Sequence, residues 1–371
     1  MATEVDESLH EFIRTNVFIA TRNFNHRLKT FRKEIIMGTN NPMEVENFSD
    51  KMEFQGRGAA HIHGVAWCNL QKVSQVLNSE CRNTDTKDNF ESDSDCDFED
   101  DLENDSDIEL EQDADTDFES KSGLEKAFEK LRLDEKLKKK ERKALVAFAD
   151  RFVTCTLNPD MAAKMIDETV SIEEGIKIVK KVKETQTHHH TKTCKKKSPN
   201  CRFGIPRFPI WESMLTKPVE GESEEEKSDR RIIHKHVLKA VLDVLEDENE
   251  MGKIWKDYDK LSETQEEYKL NRKQRILRVL EIAGVSAKSY VAAVREQAKR
   301  GISVILARDV DEMYINNYNP EWIRAWDGNI DIQPCLDFFG LITYVTEYFT
   351  KDKVEHQPCL KQQPRSVQSL G

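Results

Sequence analysis

The sequence is short of long apolar runs. None of its 371 residues lie in a stretch approaching the roughly 18 consecutive apolar residues that a membrane-spanning helix needs, so none is predicted. The opening MATEVDESLHEF is acidic and lacks an apolar centre, which argues against a secretory leader. No internal repeat is visible, which excludes a solenoid reading. The phosphate loop G-x-x-x-x-G-K-[ST] is missing too, so no motor of that kind is read here.

What is present is charge and scattered sulfur. The formal net charge of −12 is misleading, because residues 83–120 hold 18 Asp/Glu and one Lys. That tract, at −17, leaves the remainder at +5. It reads as low-complexity acid without a packed core. The rest is mildly basic, which suits an anionic partner. Eight cysteines, Cys68, Cys81, Cys96, Cys155, Cys194, Cys201, Cys335 and Cys359, are dispersed along a long chain. They imply a reducing compartment, with cysteines in cores or on metals rather than in disulfides.

Periodicity predicts a helix over 9–37 and a hairpin from KMEFQ and AAHIHGVAWC around Gly56-Arg57-Gly58. A short helix follows at 70–80. One or two helices lie in GLEKAFEKLRLDEKLKKKERKALVAFADRF, and another helical stretch over 160–185. HHHTKTCKKKSPNCRFGIPRFP is a basic loop. Residues 223–300 are largely helical, with breaks at Gly284 and Gly301. Strands are predicted at 302–307 and 329–333, and a helix at 335–351.

On a strand, His61 and His63 share one face. Two imidazoles so placed can hold a divalent cation, Mg or Mn. If the hairpin turns about Arg57, Glu53 lies opposite His61 and is the expected third ligand, with Gln55 as its alternative. An isolated His-x-His is more often structural. His234-Lys235-His236 is such a decoy on a solvated helix.

Tyr344 and Tyr348 stand four residues apart in ITYVTEYFTKDK, one turn apart on a helix, and Lys351 follows on the same side. Two such tyrosines are usually amphipathic core. Beside a metal or a cation, however, a phenolate can attack a DNA phosphodiester. The product is a covalent phosphotyrosine and a free hydroxyl, and the bond energy is kept for rejoining.

Within fourteen residues stand His188, His190, Cys194 and Cys201. With Cys155 as a remote fourth ligand, His190, Cys194 and Cys201 suit a tetrahedral structural zinc, and His188 is the rival to His190. A flexible basic loop with unpaired thiols is the plain alternative. Lys192, Lys195, Lys196, Lys197, Arg202 and Arg207 surround the cluster, with Phe203 and Phe208 interleaved. Cations for phosphates and rings for bases suit single-stranded DNA. Packing of both rings as local core beside the metal is the other reading.

EFQGRGAAHIHG, followed far downstream by NNYNPEWIRAWDGNIDIQ and ITYVTEYFTK, resembles the replication-initiator-like domain of Helitron rolling-circle transposases, within the HUH endonuclease superfamily. RTNVFIATRNFNHRLKTFRKEII resembles the segment before that hairpin. RFVTCTLNP and HHHTKTCKKKSPNCRFGIPRFP resemble the family's cysteine-rich insert. The resemblance covers most of the chain apart from the acidic tract. It implies a five-stranded antiparallel sheet with the histidines on a central strand. It also implies His61 and His63 as the metal pair, Tyr344 and Tyr348 as nucleophiles, and Lys351 as the trailing lysine. The family's upstream strand and its helicase have no counterpart here, which reads as a fragment truncated at both ends.

The expected fold class is α+β: an antiparallel HUH-type sheet with helical additions and a zinc-binding insert. The expected organisation is a helix and hairpin in 1–82, an acidic insert in 83–121, a helical and Cys/His-rich segment in 122–222, a helical segment in 223–300 and the tyrosine-bearing remainder in 301–371. The expected activity is metal-dependent cleavage and transfer of single-stranded DNA, with Arg57, Lys195, Lys196, Lys197 and Arg202 on the DNA. The rivals are an inactive DNA-binding remnant and a relic without a role. The expected location is the nucleus, with no membrane partner.

Overall fold

The computed structural model describes residues 15–39, 41–54, 60–84, 121–133, 136–192, 194–195, 201–216, 221–255, 262–296, 302–337, 340–343 and 346. The architecture is α+β, with many helices and two small antiparallel sheets. No described helix is long and apolar enough to cross a membrane. The chain divides into two compact units. The first draws on Met1–Gly38, Val45–Trp67 and Asp337–Gly371, the second on Thr39–Glu44 and Cys68–Leu336.

In the first unit, α1 (Val17–Phe31) buries Leu28 and Phe31, three residues apart on one face. It runs on as a π-helical turn, Arg32–Ile36, closed by Met37 N–H donating to the Arg32 carbonyl at 2.8 Å. β1 (Val45–Phe54) pairs with β2 (Ala60–Cys68). Arg32 forms an ion pair with Asp50 and lies over the Phe48 ring, 5.8 Å from its centroid. The Phe48 ring presses onto Gly64, where an added Cβ would lie 2.7 Å from the Phe48 Cζ. A glycine inside a strand marks such a close approach. Gly64 alternates with His61 and His63, so Phe48 packs on the face opposite the histidines.

The resemblance implies five strands around the histidines. Among the described residues the histidine strand has one partner, β1.

The second unit begins with α2 (Leu70–Thr84), α3 (Gly123–Arg132) and α4 (Lys139–Phe152). Ser122 and Glu125 cap α3 reciprocally, each side chain taking the other's backbone N–H. α5 (Pro159–Lys164) and α6 (Ile172–Thr185) cross tightly at Gly175, where a Cβ would lie 2.0 Å from the Pro159 carbonyl. α7 (Glu224–Leu245), α8 (Glu248–Trp255), α9 (Gln265–Ala283) and α10 (Ala287–Arg295) occupy the predicted helical stretch. Gly284 ends α9 in the left-handed region at φ 65°, the break expected there. Leu238, Val241, Ile276, Val279 and Tyr290 form the core of this bundle.

β3 (Met214–Leu215) pairs with β4 (Val304–Ile305), Met214 opposite Ile305. The strand expected over 302–307 is therefore cut to two residues. Residues 329–333 form no strand, because Ile330 is taken up by side-chain packing and Ile332 N–H by a lone bond to the Asn317 carbonyl at 3.3 Å.

The segment 308–319 ties the second unit together. Thr154 and Tyr318 exchange backbone bonds of 2.9 and 2.8 Å, and the Tyr318 hydroxyl donates to the Thr156 carbonyl at 2.7 Å. Asn319 caps α11 (Pro320–Trp326) and donates through Nδ2 to the Phe152 carbonyl. Asn158 does the same for α5, reaching the Glu263 carbonyl. Both helices thus start with an Asn cap and Pro in the first turn, the arrangement that spends no N–H.

Candidate metal centre

Beyond α6 the chain bends at Gln186, and Thr187 bridges to Ile315. His188 N–H donates to the Tyr314 carbonyl at 2.7 Å, which fixes its backbone against the buried segment. Two residues on, His190 turns its ring to His188, centroids 5.1 Å apart and nearly perpendicular. A tight turn then carries Cys194, whose buried thiol donates to the Thr191 carbonyl at 3.2 Å. Cys201 lies back beside Cys194, whose carbonyl accepts the Arg202 N–H at 3.0 Å, and Gly204, at φ 66°, makes the turn that follows it.

Donor atoms of His188, His190, Cys194 and Cys201 all lie within 4.8 Å of one another. Cys194 Sγ is 3.6 Å from His190 Nδ1, and Cys201 Sγ is 3.5 Å from His188 Nε2. Zn–S and Zn–N bonds of ordinary length at a tetrahedral angle put nitrogen and sulfur about 3.6 Å apart. The spacing therefore fits a tetrahedral ion with two thiolates and two imidazoles.

The electrostatics agree with this donor set. Burial pushes the Cys201 thiol up, but the backbone amides of Phe203 and Ile205, the Cys194 thiol and the Lys195 charge outweigh it and lower its pKa. Burial, and then the neighbouring His190 and His189, lower the pKa of His188 and favour its neutral form. Both shifts favour the deprotonated forms that a metal ligand must adopt.

Two expectations change. Both histidines belong to the group, rather than one excluding the other. Cys155 does not belong to it. It lies fully buried among Leu157, Ile178 and Tyr318, donates to the Ala307 carbonyl at 3.3 Å, and burial lifts its pKa to about 11. A thiol held protonated in an apolar core is a packing residue.

The basic patch separates likewise. Lys192, Lys195 and Arg202 are exposed beside the cluster. Phe203 is exposed, with the Arg202 guanidinium 4.5 Å from its centroid. Phe208 instead packs against the helical core. Arg207 is turned inward, donating to Asn317 Oδ1 at 2.6 Å, and burial lowers its pKa. Lys196 and Lys197 lie outside the described residues.

In the first unit Glu53 meets His63 rather than His61, and the three donors do not converge as a metal group. The rings of His61 and His63 stand 4.7 Å apart, and Glu53 Oε2 is 3.5 Å from His63 Nε2. Burial lowers the pKa of His61, and the Glu53 charge partly offsets it. Gln55, Arg57, Tyr344, Tyr348 and Lys351 lie outside the described residues. Among the described residues, the Cys/His quartet is the group of three or more candidate ligands whose donors converge for a metal.

Sequence reasoning missed the polar centre of the second unit. Glu312 accepts the Leu157 N–H at 2.5 Å, the Tyr268 hydroxyl at 2.7 Å and the Asp309 N–H at 2.8 Å. Arg308 donates to the Glu312 and Ile315 carbonyls and to Asn317 Oδ1. The charges of RDVDE gave a signal, but their partners stand far away in sequence. Comparison with protein-family models, curated proteins and solved structures finds no match for this chain.

Proposed function

We propose that this chain handles single-stranded DNA as the strand-cleaving and strand-transferring domain of a Helitron-like rolling-circle element, braced by a structural zinc. The observation that carries the nuclease reading is the placement of His61 and His63 side by side on the strand face opposite Phe48, with Glu53 3.5 Å from His63. Asp337, residues 340–343 and residue 346, which lead into the tyrosine pair, group with this hairpin in the first unit, which supports the same reading.

A divalent cation bound there would polarise a scissile phosphate. Desolvation lowers the pKa of His61, which favours the neutral ring that can donate a lone pair to a metal. Tyr344 or Tyr348 supplies the attacking oxygen. A tyrosine O–P bond forms as the phosphodiester P–O bond breaks, and the departing DNA oxygen takes a proton. Lys351 stabilises phenolate or phosphate charge.

Zinc is assigned to the quartet because two thiolates and two imidazoles suit it better than magnesium. The test of the nuclease reading is a covalent adduct. The chain is mixed with labelled single-stranded DNA and manganese, then run on a denaturing gel beside Tyr344→Phe, Tyr348→Phe and His61→Ala. A metal-dependent band, lost in the double tyrosine variant and in His61→Ala, is expected. No band under any metal overturns the nuclease reading.

One observation favours a second reading, an inactive DNA-binding remnant. Among the described residues the zinc quartet is complete, whereas the histidine strand pairs with a single neighbour. DNA binding without adduct formation is the result that reading expects.

A further inference from the structure

Phe203 is an anomaly. It is 47% exposed although it sits in the turn that Gly204 closes onto the Cys201 carbonyl. Its own backbone amide hydrogen-bonds the Cys201 sulfur, as does that of Ile205. Its ring meets the His188 ring edge-on, with centroids 5.6 Å apart. Two residues of the quartet thus fix the backbone and orientation of an apolar ring that packs into no core. Phe208, five residues on, shows that this segment can bury a phenylalanine where packing requires one.

The surroundings select what can cover the ring. From Thr187 to Trp211 the chain has no Asp or Glu and six Lys/Arg. Lys192, Lys195 and Arg202 are exposed there. A zinc ion with two thiolates and two neutral imidazoles adds no net charge, so the patch stays cationic when loaded. A flat aromatic surface within a field of cations matches a polyanion with stacking faces, which is a single nucleic-acid strand. Duplex DNA offers phosphates to the same cations, but its base faces are already stacked.

We propose that Phe203 is a stacking platform for one base of a single-stranded DNA, and that the Cys/His quartet must hold its metal for the platform to form. The Arg202 guanidinium, now over the ring, moves to the phosphate beside the stacked base. Exposed cation–π contacts are weak enough to exchange in this way. The proposal rests on the reading of the chain as a single-strand DNA protein and adds the residue and the switch that reading lacks.

The experiment is fluorescence anisotropy with a labelled 12-nucleotide single strand. It uses the full chain with zinc, with zinc removed by chelation and with zinc restored, and zinc content is measured on each sample. Phe203→Ala should weaken binding about ten-fold in the zinc-loaded protein, and Phe203→Trp should retain it. Chelation should bring the wild type to the level of Phe203→Ala and leave Phe203→Ala unchanged. A blunt duplex of the same length should not distinguish the variants.

Wild-type binding unaffected by Phe203→Ala would overturn the platform and leave the DNA reading standing. Equal further loss in wild type and Phe203→Ala on chelation would overturn the coupling, since the metal would then serve the fold as a whole. Failure of the wild type to bind single strands would overturn the DNA reading itself.

Discussion

Arg275 and Asp309 form an ion pair from which water is excluded on both sides. The guanidinium Nε stands 3.0 Å from Asp309 Oδ2, and both side chains are fully buried. Glu263 takes the other edge of the guanidinium at 2.9 Å. The two carboxylates raise the pKa of Arg275 against the desolvation that opposes them.

Removing the cation alone leaves two buried carboxylates facing each other. Arg275→Leu should therefore cost about 3–5 kcal/mol, more than the loss of a surface pair by several-fold. The midpoint of urea denaturation of the full chain measures it. A cost below about 1 kcal/mol would show that solvent reaches the pair.

The cysteines should separate chemically. At pH 8, after metal removal, iodoacetamide should modify Cys201 at least ten-fold faster than Cys155. Burial holds the Cys155 thiol near 11, whereas the amides at Cys201 favour its thiolate. Mass spectrometry of time points gives the two rates. Correspondingly, Cys201→Ser and Cys194→Ser should lose bound zinc while Cys155→Ser retains it, as read by elemental analysis.

The sequence made the candidate metal cluster legible because its four residues are local. His188, His190, Cys194 and Cys201 fall in one short basic run, and their residue types suffice to suggest zinc. Choosing Cys155 as the fourth ligand failed because burial of a lone thiol among Leu157, Ile178 and Tyr318 is a tertiary property. The same limit hid Arg275 and Asp309, which look like surface charges until a helix and a distant loop meet. Helix existence was readable from periodicity, and the Gly284 stop from its residue type. The strand expected at 329–333 shows the converse error: Ile330 and Ile332 alternate as in a sheet, yet side-chain packing and one backbone bond use that pattern without a neighbouring strand.

Gly175 is required by the crossing of α5 and α6. In Gly175→Ala the new Cβ would meet the Pro159 carbonyl at 2.0 Å, and the contact is with backbone. The helices must part, so a loss of about 2 kcal/mol or more is expected. Thermal denaturation followed by circular dichroism checks it. An unchanged Tm would mean that the crossing is wider than described.

The histidine hairpin should carry a signature in acid. Burial lowers the folded pKa of His61 below the unfolded value of about 6.5. Between those two values the unfolded chain binds more protons. The contribution of His61 to stability is therefore complete above about pH 6.5 and is lost as the pH falls through the folded value. NMR titration of the His61 ring without metal should show a midpoint below 6.5. Glu53→Gln should move it lower still, because the Glu53 charge is what pulls it upward. A midpoint above 6.5 in the wild type would mean that the Glu53 charge outweighs the desolvation at this ring.

The pairing of Thr154 with Tyr318 also sets a timetable. The Tyr318 hydroxyl bonds a carbonyl 162 residues earlier, and Glu312 reaches back 155 residues to Leu157. At ribosomal speeds the Thr154–Leu157 segment waits roughly 10–30 s for its partner. During that interval α5 and α6 can assemble, but the Thr154–Leu157 edge stays uncovered and available for wrong pairing. Folding of the second unit is thus governed by its last-made segment, and a nascent chain stalled before residue 308 would present that edge to chaperones.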